Sequence, residues 1–291
     1  MKKTSITSNT SITDRQKGQI VRFAEDATKK AIRVLGLDKT TGQQVIMRGD
    51  ELADAIIDKI RELSLMNQYA NEVVSSNYTY PSEYKLKSVT EQANKLRELF
   101  PGIGYADENL ANQPLPQGAE GYFVIPRWEK VAPTYNEAVQ KVLDLIKQTR
   151  KFYNYREGAL GPDRLQQSNR TKQMFAKLGK NQKGDLLVVP AQFGMLHRGQ
   201  SVRRAREIFM INEFGLGAFA LGCMILTHPD RMVRWEELDM DCAGDEYAPG
   251  ADGVFSRAPR FRFGGDGVRF GAGSVGDAGG DYGSASGFVP Q

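Results

Sequence analysis

RFRFGGDGVRFGAGSVGDAGGD, residues 260–281, holds two kinds of position. Seven are apolar: Phe261, Phe263, Val268, Phe270, Ala272, Val275 and Ala278. The other fifteen are all Gly, Asp, Arg or Ser, with no Lys, Glu, Thr, Asn or Gln among them. Phe261, Phe263, Val268, Phe270 and Ala272 alternate with polar residues. That is the period of half-buried strands with one side turned to a core. The outward positions are then Arg260, Arg262, Gly264, Gly265, Asp266, Arg269, Gly271, Gly273, Ser274, Asp277, Gly279, Gly280 and Asp281. Glycine-rich tails are commonly flexible, but a flexible tail has no reason to place Phe and Val at strand spacing.

The outward identities share a genetic property. From the asparagine codon AAC, changes confined to adenines reach GGC, GAC, AGC and CGC, which encode Gly, Asp, Ser and Arg. The whole polar set of the run lies within that reach, and the apolar positions sit undisturbed between its members. A less biased ending, YGSASGFVPQ, closes the chain.

This pattern resembles the variable region of proteins diversified by retroelements that mutate adenines (diversity-generating retroelements). The resemblance is strongest over residues 237–291. It implies a variable region near the C-terminus, carried on a C-type-lectin-like fold of short strands and long loops. Fixed residues would hold the scaffold, and the thirteen outward residues would form a ligand-binding surface. Arg260, Arg262 and Arg269 would give that surface charge, and Asp266, Asp277 and Asp281 acceptors. The implied protein is a non-enzymatic binder of an unknown protein or surface ligand.

The rest of the chain sets the scaffold. Residues 1–12, rich in Ser, Thr and Asn, read as a mobile lead-in. A helix is expected from Thr13 or Asp14, with Ile20, Phe23, Ala27, Ala31 and Val34 on one face and Gly36 at its end. A second follows Gly49, and a third covers Ser88 to Phe100 before Pro101. The stretch 101–120 carries three prolines and three glycines with little periodicity, which reads as a linker or long loop. The expected division is therefore a helical region over 1–118 and a ligand-binding domain over 119–291.

In the second part, Tyr122–Pro126 and Asp185–Val189 read as strands. Thr134 and Ser201 are placed to cap helices, and another helix is expected over Asp163–Leu178. The apolar run 214–226, FGLGAFALGCMIL, reads as central strand material with a buried helix as the other possibility. Helices first and glycine-rich strands afterwards give an α+β fold rather than alternating βαβ units.

Charge is uneven within the net +4: about +1 over residues 1–130, +8 over 131–236 and −5 over 237–291. The basic middle offers a second reading, contact with nucleic acid through residues 147–206. There HRGQSVRRAR (197–206) and the aromatics Phe152, Tyr153 and Tyr155 beside Arg150, Lys151 and Arg156 suit phosphates and bases. The same arginines equally suit an acid-paired helix face. Asp239, Asp241, Asp245, Glu246 and Asp252 form an acidic loop that offers oxygen ligands for calcium or, with His228, the acids of a hydrolase. Asp-rich turns have that composition without any metal. No cofactor is otherwise implied. Phosphate loops, nucleophile elbows and HExxH are absent from the sequence. Two cysteines, Cys223 and Cys242, read as buried thiols rather than a disulfide framework. With no apolar run near the length of a membrane span and no signal-peptide core, the expected compartment is the cytoplasm, export by another route aside.

Overall fold

The computed structural model of the chain describes residues 12–65, 68–250 and 252–290. The reading of the N-terminus as a mobile lead-in falls on residues 1–11, outside the described residues. The chain separates into two compact units, Met1–Leu65 and Met66–Gln291.

The first unit is helical. Helix α1 (Asp14–Leu35) starts with a reciprocal cap in which the Gln16 amide donates to Thr13 Oγ1 (3.3 Å) and the Thr13 amide donates to Gln16 Oε1 (2.9 Å). Gly36, at φ 59°, ends it. Helix α2 (Lys39–Met47) is an addition to the expected set. It lacks an apolar stripe, and its readable mark is the Asp38–Thr41 capping box. Helix α3 (Gly49–Leu65) follows. No residue of α1 is buried, and Val21, Phe23, Ile32, Val34 and Leu35 stand exposed.

In chain order, the second unit runs α4 (Val89–Leu99), β1 (Gly121–Pro126), α5 (Tyr135–Thr149), β2 (Phe152–Asn154), β3 (Leu165–Gln167), α6 (Asn169–Asn181), β4 (Leu186–Gln192), α7 (Val202–Ile208), β5 (Glu213–Gly215) and α8 (Ala218–Thr227). Six further strands complete it: β6 (Asp239–Asp241), β7 (Asp245–Tyr247), β8 (Arg257–Gly264), β9 (Gly267–Ser274), β10 (Tyr282–Ser284) and β11 (Ser286–Phe288). The fold is α+β. No helix among the described residues is long and apolar enough to cross a membrane.

The contacts divide the chain at Leu65, not near 118. The reason is visible in α4. Its fully buried Gln92 donates from Nε2 to the Tyr122 carbonyl (2.9 Å) and accepts from the Val124 amide at Oε1 (2.9 Å), so the helix is bonded to β1. The stretch 101–120 is a long loop inside this unit. It is held where the Gly104 amide donates to Asp185 Oδ2 (3.0 Å) and Ala106 bridges to Leu186.

An antiparallel sheet in the order β1-β4-β11-β5 carries the core. Every residue of β1 and β4 is buried, as continuous apolar runs require when both faces of a sheet are covered. Helices α4 and α8 pack against β1, and α5 packs on α8. Helix α8 corrects the strand reading of 214–226: only Phe214 and Gly215 of that run lie in a strand. All of α8 is buried, so it has no polar face to reveal a helical period. Gly222 lets it approach α5, since a Cβ there would lie 2.4 Å from Val142 Cγ1. Helix α6 begins at Asn169, later than expected, because Leu165–Gln167 pair with β7; Ser168 caps it.

The second sheet has the order β10-β6-β8-β7-β3, with β9 pairing β8 on one side and β2 on the other. It presents the residues of the 260–281 run.

Candidate ligand-binding site

Strands β8 and β9 form a hairpin paired from Arg257↔Ser274 to Gly264↔Gly267. Its two-residue turn is Gly265-Asp266. Gly265 has φ +64° and Asp266 has none of the positive-φ conformation, the pattern of a II′ turn, which wants glycine first. Register then sorts the run into faces. Phe261 stands opposite Phe270 and Phe263 opposite Val268. Phe261, Phe270 and Val268 are wholly buried in the core, with the first two rings 4.9 Å apart. Phe263 and Ala272 are partly buried against the same core.

The other face is polar from Arg260 to the tip; before it Ala258, opposite Gly273, is buried with Val202, Ala205, Phe209 and Ala243. Arg260 stands opposite Gly271, and Arg262 opposite Arg269. Strand β6 continues both rows. Asp241 pairs with Arg260, and Asp239, two residues earlier, falls beside Arg262 in the same register. On the far side of β6, Tyr282 stands opposite Asp239 and Ser284 opposite Asp241. Tyr153 of β2 flanks Arg269. One row thus reads Tyr282, Asp239, Arg262, Arg269, Tyr153, and the next Ser284, Asp241, Arg260, Gly271.

These side chains differ in how far they are committed. Arg260 donates from Nε to Asp241 Oδ1 (2.8 Å) and lies 3.8 Å from the centre of the Tyr282 ring. Burial works against its charge, but Asp241 outweighs burial and raises its pKa further. Burial also raises the pKa of Asp241, with Arg260 opposing. Asp239 is pushed up to about 8, first by burial and then by the neighbouring Asp281, against the pull of Arg260 and Arg262. Asp266 is occupied by Lys151 and by the Tyr153 hydroxyl, which donates to Oδ1 (2.9 Å). The bond from Lys151 holds its carboxyl below the usual range. Arg262 has no side-chain hydrogen bond or ion pair among the described residues.

Beside this face a cavity of about 460 Å³ opens at the end of β2, lined by Tyr155, Arg156, Arg260, Arg262, Gly271 and Ala272. Arg156 lies 5.4 Å from the Tyr247 ring centre, and its Nε is buried without a partner. Arg269 Nε is also buried without a partner. A larger cavity of about 750 Å³ lies beside β1, α5 and α6, walled in part by Trp128, Tyr135, Phe175 and Phe219. Its arginine, Arg127, is spent on the carbonyls of Gly179, Gln182 and Gly184. The smaller cavity is the one that adjoins the polar face of the hairpin.

The glycines of the run are not equivalent. A Cβ at Gly271 would meet nothing within 4 Å. At Gly273 and Gly264 it would meet the ends of Arg260 and Arg269, at 2.5 and 3.0 Å, which are flexible. At Gly267 it would meet the Lys151 backbone oxygen at 2.6 Å, so that glycine belongs to the scaffold. The outward set thus falls into three groups. Arg260, Arg262, Arg269, Gly271 and Gly273 lie along the hairpin, whereas Ser274, opposite Arg257, falls on the side of Ala272 and not on the outward one. Gly264, Gly265 and Asp266 make its tip. Asp277, Gly279, Gly280 and Asp281 follow in the return loop, where Asp277 and Asp281 are exposed. Bonds to its carbonyls tie that loop down: Tyr282 Oη donates to the Asp277 carbonyl (2.6 Å) and the Asp239 amide to the Asp281 carbonyl (2.7 Å).

The remaining candidates are spread through the fold. Four of the five carboxylates of the acidic loop have separate partners, Asp241 with Arg260 and Asp252 with the Val254 amide among them. Asp245 accepts from the Tyr135 hydroxyl (2.8 Å) and from the first amide of α8 (2.7 Å), and Glu246 accepts from Gln166 (2.9 Å). Among the described residues, no group of three or more His, Cys, Asp or Glu is placed to hold a metal ion. Cys223 and Cys242 are buried and free. His228 is buried; its Nε2 accepts from the Lys87 amide (3.1 Å), and burial lowers its pKa to about 4. His197 Nε2 meets Glu213 Oε1 at 2.6 Å, and Ser286 Oγ meets the same oxygen at 2.6 Å. The carboxylate lies between hydroxyl and imidazole, so the three form no nucleophile–base pair. In HRGQSVRRAR, Arg198 bonds the Tyr78 carbonyl, Arg203 pairs with Glu72, Arg204 with Glu207, and Arg206 bonds the carbonyls of Ala243 and Asp245.

The joining of Tyr155 and Arg156 to Arg260 and Arg262 was not readable, because the pairing of β2 with β9 is a non-local parallel contact. Tyr282 had no signal at all. Comparison of the chain with known protein families, characterised proteins and solved structures returns no match.

Proposed function

We propose that the protein is a non-enzymatic ligand-binding protein whose C-terminal surface is diversified by a retroelement, on a C-type-lectin-like scaffold. The observation that carries this reading is the register of the β8–β9 hairpin. Phe261, Val268 and Phe270 bury their side chains in the core and Phe263 and Ala272 do so in part, while Arg260, Arg262, Arg269, Gly271 and Gly273 share the opposite face. A surface built this way accepts new side chains without touching the core, as the open space at Gly271 illustrates. Short strands joined by long loops are compatible with the lectin-like scaffold. The exposed apolar residues of α1 suit a role for the first unit in attachment or assembly.

The test is a library in which Arg262, Arg269, Gly271 and Gly273 are randomised together. The reading expects most members to melt cooperatively, close to the parent, and selection on unrelated targets to return different sequences. Loss of folding in most members overturns it.

A second reading, contact with nucleic acid through 147–206, rests on the exposed Lys172, Lys177 and Lys180 of α6. Most arginines around them are engaged within the chain. This reading expects log affinity to fall linearly with log salt, and absence of binding at low salt removes it.

A further inference from the structure

The present residues of the polar face single out a class of ligand. Across β8 and β9 two guanidiniums, Arg262 and Arg269, stand directly opposite one another. Like charges in that position destabilise a hairpin. The acids within reach do not cancel them. Asp241 is engaged by Arg260, and Asp266 by Lys151 and Tyr153. Asp239 is a weakened counter-charge, its pKa pushed up to about 8 by burial and then by Asp281. Next to Arg262, the cavity adds Arg156, whose buried Nε lacks a partner. An unpaired buried N–H on a cation costs free energy until an acceptor arrives.

We infer that the cavity formed by Arg156, Arg260, Arg262 and Tyr155 binds a tetrahedral oxyanion, a phosphate or sulfate monoester, in the present sequence of the run. The inference rests on the polar hairpin face being the ligand-contacting one. Guanidinium forks match the oxygens of such a group, and three of them around one cavity suit its three terminal oxygens better than the two of a carboxylate. Arg260 is already fixed by Asp241 and Tyr282, so it presents its remaining N–H groups with little ordering cost on binding. Tyr155, in the cavity wall, offers an aromatic side chain to the organic part of the ester. Gly271 leaves room for it.

The test is calorimetric titration of the full chain with phenyl phosphate, phenyl sulfate and benzoate at low salt, repeated for Arg262→Ala, Arg156→Ala and the remote Lys172→Ala. The inference expects saturable one-site binding of at least one of the two esters, with benzoate at least tenfold weaker. Which ester binds more tightly identifies the source of the oxyanion. Arg262→Ala and Arg156→Ala should each weaken binding tenfold or more while the chain still melts cooperatively, and Lys172→Ala should leave binding unchanged. Binding of neither ester, equal binding of benzoate, or ester binding indifferent to both arginines overturns the inference. Failure here leaves the diversified-surface reading standing if the hairpin library still folds and yields binders. Failure of the library with ester binding intact rejects that reading alone.

Discussion

Arg262 of β8 stands directly opposite Arg269 of β9, two like charges on the one face of the hairpin that is turned away from the core. Such a pair costs stability, and its presence marks a face arranged for something other than folding. Arg262→Glu should turn repulsion into a cross-strand ion pair and raise stability by about 0.2–1 kcal/mol. The same change should abolish binding of phenyl phosphate or phenyl sulfate. Urea denaturation and titration of one preparation test both halves, and a variant that loses stability contradicts the assignment.

The hairpin should tolerate change on one face only. Phe270→Ala removes a wholly buried ring from its contact with Phe261 and should cost about 3–5 kcal/mol. Gly271→Ser places a side chain in open space and should stay within about 0.5 kcal/mol of the parent. Gly267→Ser drives a Cβ against the Lys151 carbonyl and should cost about 1–3 kcal/mol. The order Gly271, Gly267, Phe270 in denaturant midpoints is the expected result.

Asp239 gives the fold a pH dependence of definite sign. Its folded pKa of about 8 lies above the ordinary aspartate value, so the unfolded chain surrenders this proton first. Its contribution is fully present below about pH 4, falls as pH rises toward 8, and is flat beyond. Asp239→Asn should therefore melt higher than the parent at pH 9 and alike at pH 4. Parallel melting curves across that range would contradict the buried, acid-crowded setting of this carboxyl.

His228 acts at the other end. Its pKa of about 4 lies below the ordinary histidine value, chiefly from burial. Stability from the neutral ring is present above about pH 6.5 and lost as pH falls toward 4. His228→Gln keeps an acceptor for the Lys87 amide and should flatten that acid limb in a melting series from pH 7 to pH 4.

Much of this was legible from local signals. Alternation in 260–272 identified the buried ladder, and Thr13, Ser88, Thr134 and Ser201 announced helix starts through their own side chains. What escaped was non-local. Gln92 bonds α4 to β1 across a loop that looks like a linker, and composition alone marks a boundary near 118. Helix α8 is buried all round and so shows no period. The parallel pairing of Phe152–Asn154 with Val268–Phe270 brings Arg156 to Arg262, and no local pattern encodes a contact over that separation. The basic helix α7 was ambiguous in sequence because an arginine bonded to a backbone carbonyl reads like an arginine awaiting phosphate.

The central claim is that the outward polar positions of 260–281 are exchangeable, and that the apolar ones and Gly267 are fixed. The most direct measurement is the DNA sequence of the gene and its surroundings. The account predicts a near-copy of this stretch close to a reverse transcriptase gene. Differences between copy and gene should be confined to adenines of the copy, in codons such as those of Arg260, Arg262, Arg269, Gly271 and Gly273. The codons of Phe261, Gly267, Val268 and Phe270 should be unchanged. Absence of a near-copy, or differences spread over other bases and over the buried positions, contradicts it.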